Sequence, residues 1–156
     1  MKGILELLQE HRFFQGFSAD HQQLMAGCGK NVHVKAGQYL AREGQNADQF
    51  YVIRKGKAGI ELAIPPKGFK LIQTLTAGDI AGWSWLYPPY QWTFDVKALE
   101  DISAVALDGK CLRQKCEQDP VLGYSLMKAF AKIMTGRLKA TRLQLVDVYG
   151  HSGDSG

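Results

Sequence analysis

The sequence is most informative where GQYLAREG, beginning at Gly37, is followed after two residues by ADQFYVIRKGKA, beginning at Ala47. Gly44 and Gly56, like Gly37, punctuate the chain where tight turns are expected, because glycine adopts backbone conformations that other residues avoid. Aromatic and β-branched residues, which favour strands, fill the run Phe50–Ile53. This pattern predicts short strands separated by glycine turns.

Alternating apolar and polar residues continue on both sides of this stretch. Turn residues divide the pattern about every eight to twelve residues, which is typical of a barrel or sandwich. The predicted strands are residues 31–34, 39–42, 49–53, 60–64, 69–76, 94–99 and 102–107. The segment PPKG at residues 65–68 predicts a hairpin turn between two of them. Residues 78–92 do not alternate and are expected to form a long irregular connection, which in a small domain is usually functional.

Helices are predicted at both ends of this β region. Apolar spacing predicts a short helix at residues 4–11, and Ser18 is a candidate N-cap for a second helix that stops at Gly27. A short helical segment follows to about Gln118, and Asp119 is then the N-cap of a long C-terminal helix. That helix is expected to end at Gly150 after roughly 40 Å.

The whole chain of 156 residues is the length of one ordinary domain. We predict a single domain over residues 1–150, with N-terminal helices at 1–30, a β-barrel at 31–107 and C-terminal helices at 108–149. Residues 151–156 are expected to be a disordered tail. The net charge of +4 is spread over scattered basic residues, and their densest stretch, residues 128–142, is interpreted as a solvated helix face.

The N-terminus and the short apolar runs indicate a cytoplasmic protein. Glu6 and Glu10 interrupt the N-terminal apolar stretch, which excludes a secretory signal, and the apolar runs are too short to cross a bilayer. No membrane partner is therefore expected. Three cysteines, Cys28, Cys111 and Cys116, cannot form a closed disulfide framework and are predicted to be buried or tolerated thiols.

The glycine spacing at residues 37–56 and the aromatic strand within it resemble the cyclic nucleotide-binding domain family, which includes the bacterial catabolite activators and the regulatory subunits of protein kinase A. The resemblance covers nearly the whole chain, from about Phe13 to Val148. It implies a fold that is mainly β with flanking α: an eight-stranded jelly-roll barrel with short N-terminal helices and a long C-terminal helix. It also implies a sensing or regulatory role.

The resemblance places the ligand cassette at residues 82–96. In the family, backbone amides cradle the cyclic phosphate, an Arg neutralises it, and a Glu takes the ribose hydroxyl. Here Trp83 follows Gly82 where the Glu belongs, and Trp92 occupies the Arg position. Losing the charged contact to phosphate alone weakens affinity by roughly ten- to a hundredfold, so cAMP and cGMP are expected to bind poorly. The predicted ligand-binding residues are Gly82, Trp83, Ser84, Trp85, Trp92 and Thr93.

Patterns that carry catalysis or a metal are missing from the sequence. Its histidines do not form the metal cluster of a cupin, and the common nucleophile and phosphate-loop motifs do not occur. We therefore expect no enzyme activity, no cofactor and no metal site. No helix-turn-helix follows the long helix within these residues, so specific DNA binding by this polypeptide is not expected.

The C-terminal helix carries an apolar stripe at alternating steps of four and three residues, the pattern of a left-handed coiled coil. It predicts a homodimer, and the predicted interface residues are Met127, Met134, Leu138, Thr141, Leu145 and Val148. Part of the stripe is expected to pack on the barrel of its own chain, whereas Leu138, Leu145 and Val148 are expected to lie beyond its reach.

Three functions remain open at this point. The first is a ligand-responsive regulatory module whose cassette still works and is coupled to the C-terminal helix, with a small nucleotide-like or apolar planar ligand. The second is a ligand-free dimerisation or adaptor module whose pocket is plugged by tryptophan. The third is a weak cyclic-nucleotide receptor, which the two tryptophan replacements disfavour.

Overall fold

The computed structural model describes residues 2–154, with side chains as far as Val148. The strands are β1 (Gly29–Val34), β2 (Tyr39–Ala41), β3 (Gln49–Lys55), β4 (Ala58–Ala63), β5 (Phe69–Leu75), β6 (Ile80–Ala81), β7 (Asp95–Ala98) and β8 (Ile102–Asp108). They form two four-stranded sheets, one in the order β1-β8-β3-β6 and the other in the order β2-β7-β4-β5. All the strand pairs are antiparallel, and the predicted hairpin joins β4 to β5.

The mainly β jelly-roll fold is confirmed, and the predicted barrel is a sandwich of two sheets that does not close into a barrel. Among residues 2–154, every ladder between named strands lies within one sheet or the other. The strand that the sequence analysis did not predict is β6, which lies in the segment predicted to be irregular and pairs with β3. A strand of two residues is too short to display a period of two, so the sequence pattern does not reveal it.

The sheet that contains β3 is covered on both faces, which explains its continuous apolar run. Tyr51 and Ile53 face the core between the two sheets. Phe50 and Val52 point the other way, into a second core formed with the flanking helices, which we call the helix-side core. Successive side chains of a strand alternate between faces, so a strand buried on both faces needs apolar residues at every position.

The helices are α1 (Ile4–Glu10), a short 3-10 helix (Arg12–Phe14), α2 (Ala19–Ala26), α3 (Gly109–Gln118) and α4 (Pro120–Asp154). Two predicted N-caps are confirmed. The Ser18 hydroxyl accepts a hydrogen bond from the His21 amide (3.2 Å), and the Asp119 carboxylate accepts one from the Leu122 amide (3.2 Å). No helix of residues 2–154 combines the length and the apolar character needed to cross a bilayer.

The end of α4 differs from the prediction. The helix continues past Gly150 to Asp154, so His151–Asp154 are helical and not the disordered tail expected there. One glycine costs a helix only about 1 kcal/mol relative to alanine, which does not oblige it to end. The last two residues of the predicted tail lie outside the described part of the chain.

The cysteine prediction is wrong for two of the three residues. Cys28 and Cys111 form a disulfide across a sequence separation of 83 residues, with 5.7 Å between their Cα atoms. Cys28 directly precedes β1 and Cys111 follows β8, and these strands pair with Gly29 opposite Leu107. The strand register therefore brings together two cysteines that are far apart in the sequence. Cys116 is a free thiol, and burial raises its pKa.

Candidate functional site

The predicted ligand-binding residues lie in the connection between β6 and β7, which we call the Gly82–Thr93 segment. It leaves β6 at Gly82, whose φ of 103° lies in the region that favours glycine. A short 3-10 helix, Ser84–Leu86, follows. The segment is anchored at its far end, because Gly44 donates a backbone hydrogen bond to the Trp92 carbonyl (2.8 Å) and Trp92 donates one to Gln45 (2.9 Å).

Trp92 lies inside the sandwich and is only 5% exposed. Its indole packs directly on Gly82: a β-carbon built on that glycine would lie 2.3 Å from Cη2 of Trp92, far inside van der Waals contact. The ring also makes an edge contact with Phe94 and belongs to the core between the two sheets. The space above the Gly82 backbone is therefore filled by an indole.

Trp83 connects the Gly82–Thr93 segment to α4. It packs at the edge of the helix-side core, and the Arg137 guanidinium carbon lies 4.9 Å from the centre of its ring. This is the geometry of a cation–π contact. Arg137 also donates a hydrogen bond through Nη2 to the carbonyl of Ile80, at the end of β6. One side chain of α4 thus holds both the strand that enters the segment and the tryptophan that follows it.

Trp85 belongs to the helix-side core and is 1% exposed. Its ring stacks on Phe50 at a centroid distance of 5.2 Å and makes an edge contact with Phe130 of α4 at 5.7 Å. The three tryptophans therefore do not share one pocket, because Trp85 and Trp92 pack in different cores. Trp85 is not part of the wall of the groove beside the segment.

Ser84, Trp92 and Thr93 line an open groove of about 280 Å³ on the outer side of the segment. Glu43 and Tyr90 contribute to its other walls. The structure thus brings three of the six predicted ligand-binding residues to one groove. It separates the other three: Gly82 is covered by Trp92, Trp83 faces Arg137, and Trp85 is in the core.

The sequence from residue 31 to residue 119 matches the family model of the cyclic nucleotide-binding domain. This match spans more than half of the chain and includes the whole Gly82–Thr93 segment. The chain belongs to the cyclic nucleotide-binding domain family. It is similar to the CRP-like cAMP-activated global transcriptional regulator of Mycobacterium tuberculosis, with 24% identity over 143 residues that cover 92% of this chain and 62% of the relative.

Solved structures show the same fold. A cyclic nucleotide-binding domain from Methylobacillus flagellatus superposes with a TM-score of 0.78 at 21% identity, covering 92% of this chain and 81% of that one. The sensor domain of the transcriptional regulator DNR from Pseudomonas aeruginosa superposes with a TM-score of 0.66 at 18% identity, covering 86% of this chain and 90% of that one. This cyclic nucleotide-binding domain therefore has the fold of known regulatory and sensor domains.

Against the family pattern, the two replacements have different structural consequences. Trp92, which the sequence resemblance places at the position of the phosphate-binding Arg, turns into the sandwich and covers Gly82. Trp83, which the sequence resemblance places at the position of the ribose-binding Glu, brings an aromatic face against Arg137. Neither indole can replace a guanidinium or a carboxylate, because its only polar hydrogen-bonding group is one N–H donor.

Arg137 is the functional candidate that the sequence analysis missed, since it lies in the stretch interpreted as a solvated face. A signal for it exists in the sequence. Phe130, Ile133 and Met134 pack on the helix-side core, and Arg137 follows them at the i+7, i+4 and i+3 positions. Residues at these spacings share one helix face, so the helical phase predicts that Arg137 points towards the sandwich.

The predicted dimer residues are mostly exposed. Leu138, Leu145 and Val148 are 66%, 52% and 55% exposed, and Met127 is 53% exposed. Thr141 is also exposed, whereas Met134 packs against the helix-side core. The sandwich reaches farther along α4 than predicted, because Gln144 donates a hydrogen bond to the Ile72 carbonyl of β5 (2.9 Å). Among the described residues, no cluster of three or more His, Cys, Asp or Glu side chains could hold a metal.

Proposed function

We propose that this domain is a non-catalytic regulatory module that senses a small ligand and does not bind cAMP or cGMP tightly. The observation that carries this proposal is the position of Trp92 over Gly82, where a β-carbon would lie 2.3 Å from the indole. A cyclic phosphate would have to displace a buried tryptophan before it reached that backbone. Once there, it would find no guanidinium at position 92 to neutralise its charge.

The first test is isothermal titration of the purified protein with cAMP and cGMP. We expect dissociation constants in the millimolar range or weaker, because both charged contacts of the family are replaced by indoles. The cAMP-activated regulator of M. tuberculosis, titrated in the same buffer, is the positive control. A micromolar dissociation constant for either nucleotide would contradict the proposal and favour the cyclic-nucleotide receptor instead.

Contacts between the Gly82–Thr93 segment and α4 support a regulatory role. Arg137 holds Ile80 and Trp83, and Trp85 packs on Phe130. Any ligand that moves the segment would therefore change the packing of the helix. A ligand biases such an equilibrium only by its differential affinity for the two arrangements, and these contacts are where the difference would arise.

A ligand-free dimerisation or adaptor module is the second candidate, and the burial of Trp92 favours it. In that case the indole fills the ancestral pocket permanently, and only the surface of α4 carries the function. Native mass spectrometry of protein purified from its host distinguishes the two candidates: a co-purified small molecule supports the sensor, and repeated purification without one supports the adaptor.

We further propose that the domain forms a homodimer through α4. Light scattering at tens of micromolar protein should give the mass of a dimer. Leu138→Glu should weaken the dimer by at least about tenfold, because it buries a charge in an apolar seam. Leu143→Glu is the matched control: Leu143 is comparably exposed at 58% but lies outside the seam. A monomeric wild type, or equal effects of both variants, would contradict this interface.

Two further properties belong to this proposal. A cytoplasmic location fits a module related to transcriptional regulators, and specific DNA binding by residues 1–156 is not expected. The chain spans only 62% of the length of the M. tuberculosis regulator. The activity of that whole protein is therefore not part of the function proposed for this chain.

A further inference from the structure

A second cavity, which we call the helix cleft, lies between α4 and the turn that joins β5 to β6. Its volume is about 560 Å³, within the range of roughly 300–1,000 Å³ that is typical of small-molecule sites. None of the six residues predicted to bind ligand lines it. The helix cleft is therefore separate from the groove beside the Gly82–Thr93 segment.

The walls of the helix cleft carry apolar side chains and more positively than negatively charged side chains. Phe13, Leu75 and Ile133 contribute apolar surface from three different elements. The charged side chains of the lining are the cations Arg12, Lys132 and Arg137 and the single carboxylate of Asp79. That carboxylate is already engaged, because it pairs with Arg12 at 2.7 Å and accepts the Thr76 backbone amide at 2.8 Å.

Arg137 forms no direct ion pair in the described part of the chain, although the Asp79 carboxylate lies near enough to act on it electrostatically. Among the described residues it has no ion pair within 4.0 Å, and its Nη1 is buried without a hydrogen-bond partner. Its other contacts are a carbonyl and the face of an indole, which orient a guanidinium but do not neutralise it. Burial lowers the pKa of Arg137 to about 10, so the group remains charged at neutral pH. A largely buried cation without an ion pair is unfavourable, and an anion bound beside the guanidinium would relieve it.

We propose that the helix cleft binds a small organic anion with an apolar body, such as an aromatic carboxylate, whose charged group pairs with the guanidinium of Arg137. The apolar part packs against Phe13, Leu75 and Ile133. This inference rests on the proposed sensing function and adds the place and chemical class of the ligand. Because Arg137 also holds Ile80 and Trp83, occupancy of the cleft would act directly on the Gly82–Thr93 segment.

The test compares 2-naphthoate with 2-naphthamide, a neutral molecule of nearly the same shape, by isothermal titration against the purified protein. We expect the carboxylate to bind at least about tenfold more tightly than the amide. Arg137→Gln should weaken naphthoate binding by about ten- to a hundredfold, which is the usual loss for one charge-assisted contact. Lys139→Gln, which removes an exposed cation of α4 outside the cleft, should change it by less than about twofold.

A second variant tests the location without removing a charge. Gly136 lines the cleft, and a β-carbon built on it meets no atom within 4 Å. Gly136→Leu should therefore obstruct the cleft and abolish naphthoate binding, while thermal unfolding shows a helix at least as stable, because leucine is a better helix former than glycine. Equal affinities for acid and amide, or unchanged naphthoate binding by Gly136→Leu, would overturn the inference.

The outcome is distinguishable from failure of the proposed function. Micromolar binding of cAMP would contradict the proposed function whether or not naphthoate binds in the helix cleft. Weak cyclic-nucleotide binding together with no discrimination between naphthoate and naphthamide would overturn the cleft site alone.

Discussion

Reduction of the disulfide between Cys28 and Cys111 is expected to lower the free energy of unfolding by about 4 kcal/mol. The bond closes a loop across a sequence separation of 83 residues, and the stabilisation expected from restricting the unfolded chain rises with loop length, to about 4.7 kcal/mol for 100 residues. Because small domains have a total stability of about 5–15 kcal/mol, the reduced protein should unfold at a much lower urea concentration.

The measurement is urea unfolding with and without a phosphine reductant, at one fixed protein concentration. Replacing both cysteines by alanine should reproduce the effect of the reductant and remove any further response to it. Cys116→Ala is the control, since that thiol is unbonded and its loss should leave the response to reductant intact. An oxidised protein whose unfolding midpoint does not move on reduction would contradict the prediction.

Trp92→Ala should lower the free energy of unfolding by about 3–5 kcal/mol, the usual cost of removing a large aromatic side chain from a core. The indole is 5% exposed and fills the space between the sheets above Gly82. The backbone carbonyl of Trp92 accepts a hydrogen bond from the Gly44 amide, and its own amide donates one to the Gln45 carbonyl, so the backbone cannot easily move into the gap.

Gln91→Ala is the control for this experiment, because Gln91 is the exposed neighbour of Trp92 and its replacement should change stability by less than about 0.5 kcal/mol. Both variants are compared by urea unfolding of the oxidised protein. If Trp92→Ala cost no more than the control, the indole could leave its position readily, and the argument that it blocks access to Gly82 would fail.

Structural features could be predicted from the sequence only where neighbouring residues define them. The N-caps at Ser18 and Asp119 and the central strand at Phe50–Ile53 were predicted, because capping groups and strand runs are recorded in adjacent residues. The tryptophans were harder. Their segment has no periodicity, so nothing in the sequence distinguished Trp85, which stacks on Phe50, from Trp92, which covers Gly82.

The sequence by itself therefore determined the run of short strands and the family, and its resemblance to that family implied the jelly roll and predicted that two indoles stand where charged ligand contacts are expected. Tertiary structure alone decided that Cys28 bonds Cys111, that Trp92 fills the space over Gly82, and that Arg137 lines a cleft in which its Nη1 has no hydrogen-bond partner. The physical reason is the separation along the chain of the residues that interact. Strand propensity and capping depend on neighbouring residues, whereas a disulfide, a filled pocket and an unpaired buried charge depend on which distant elements the register of the sheets brings into contact.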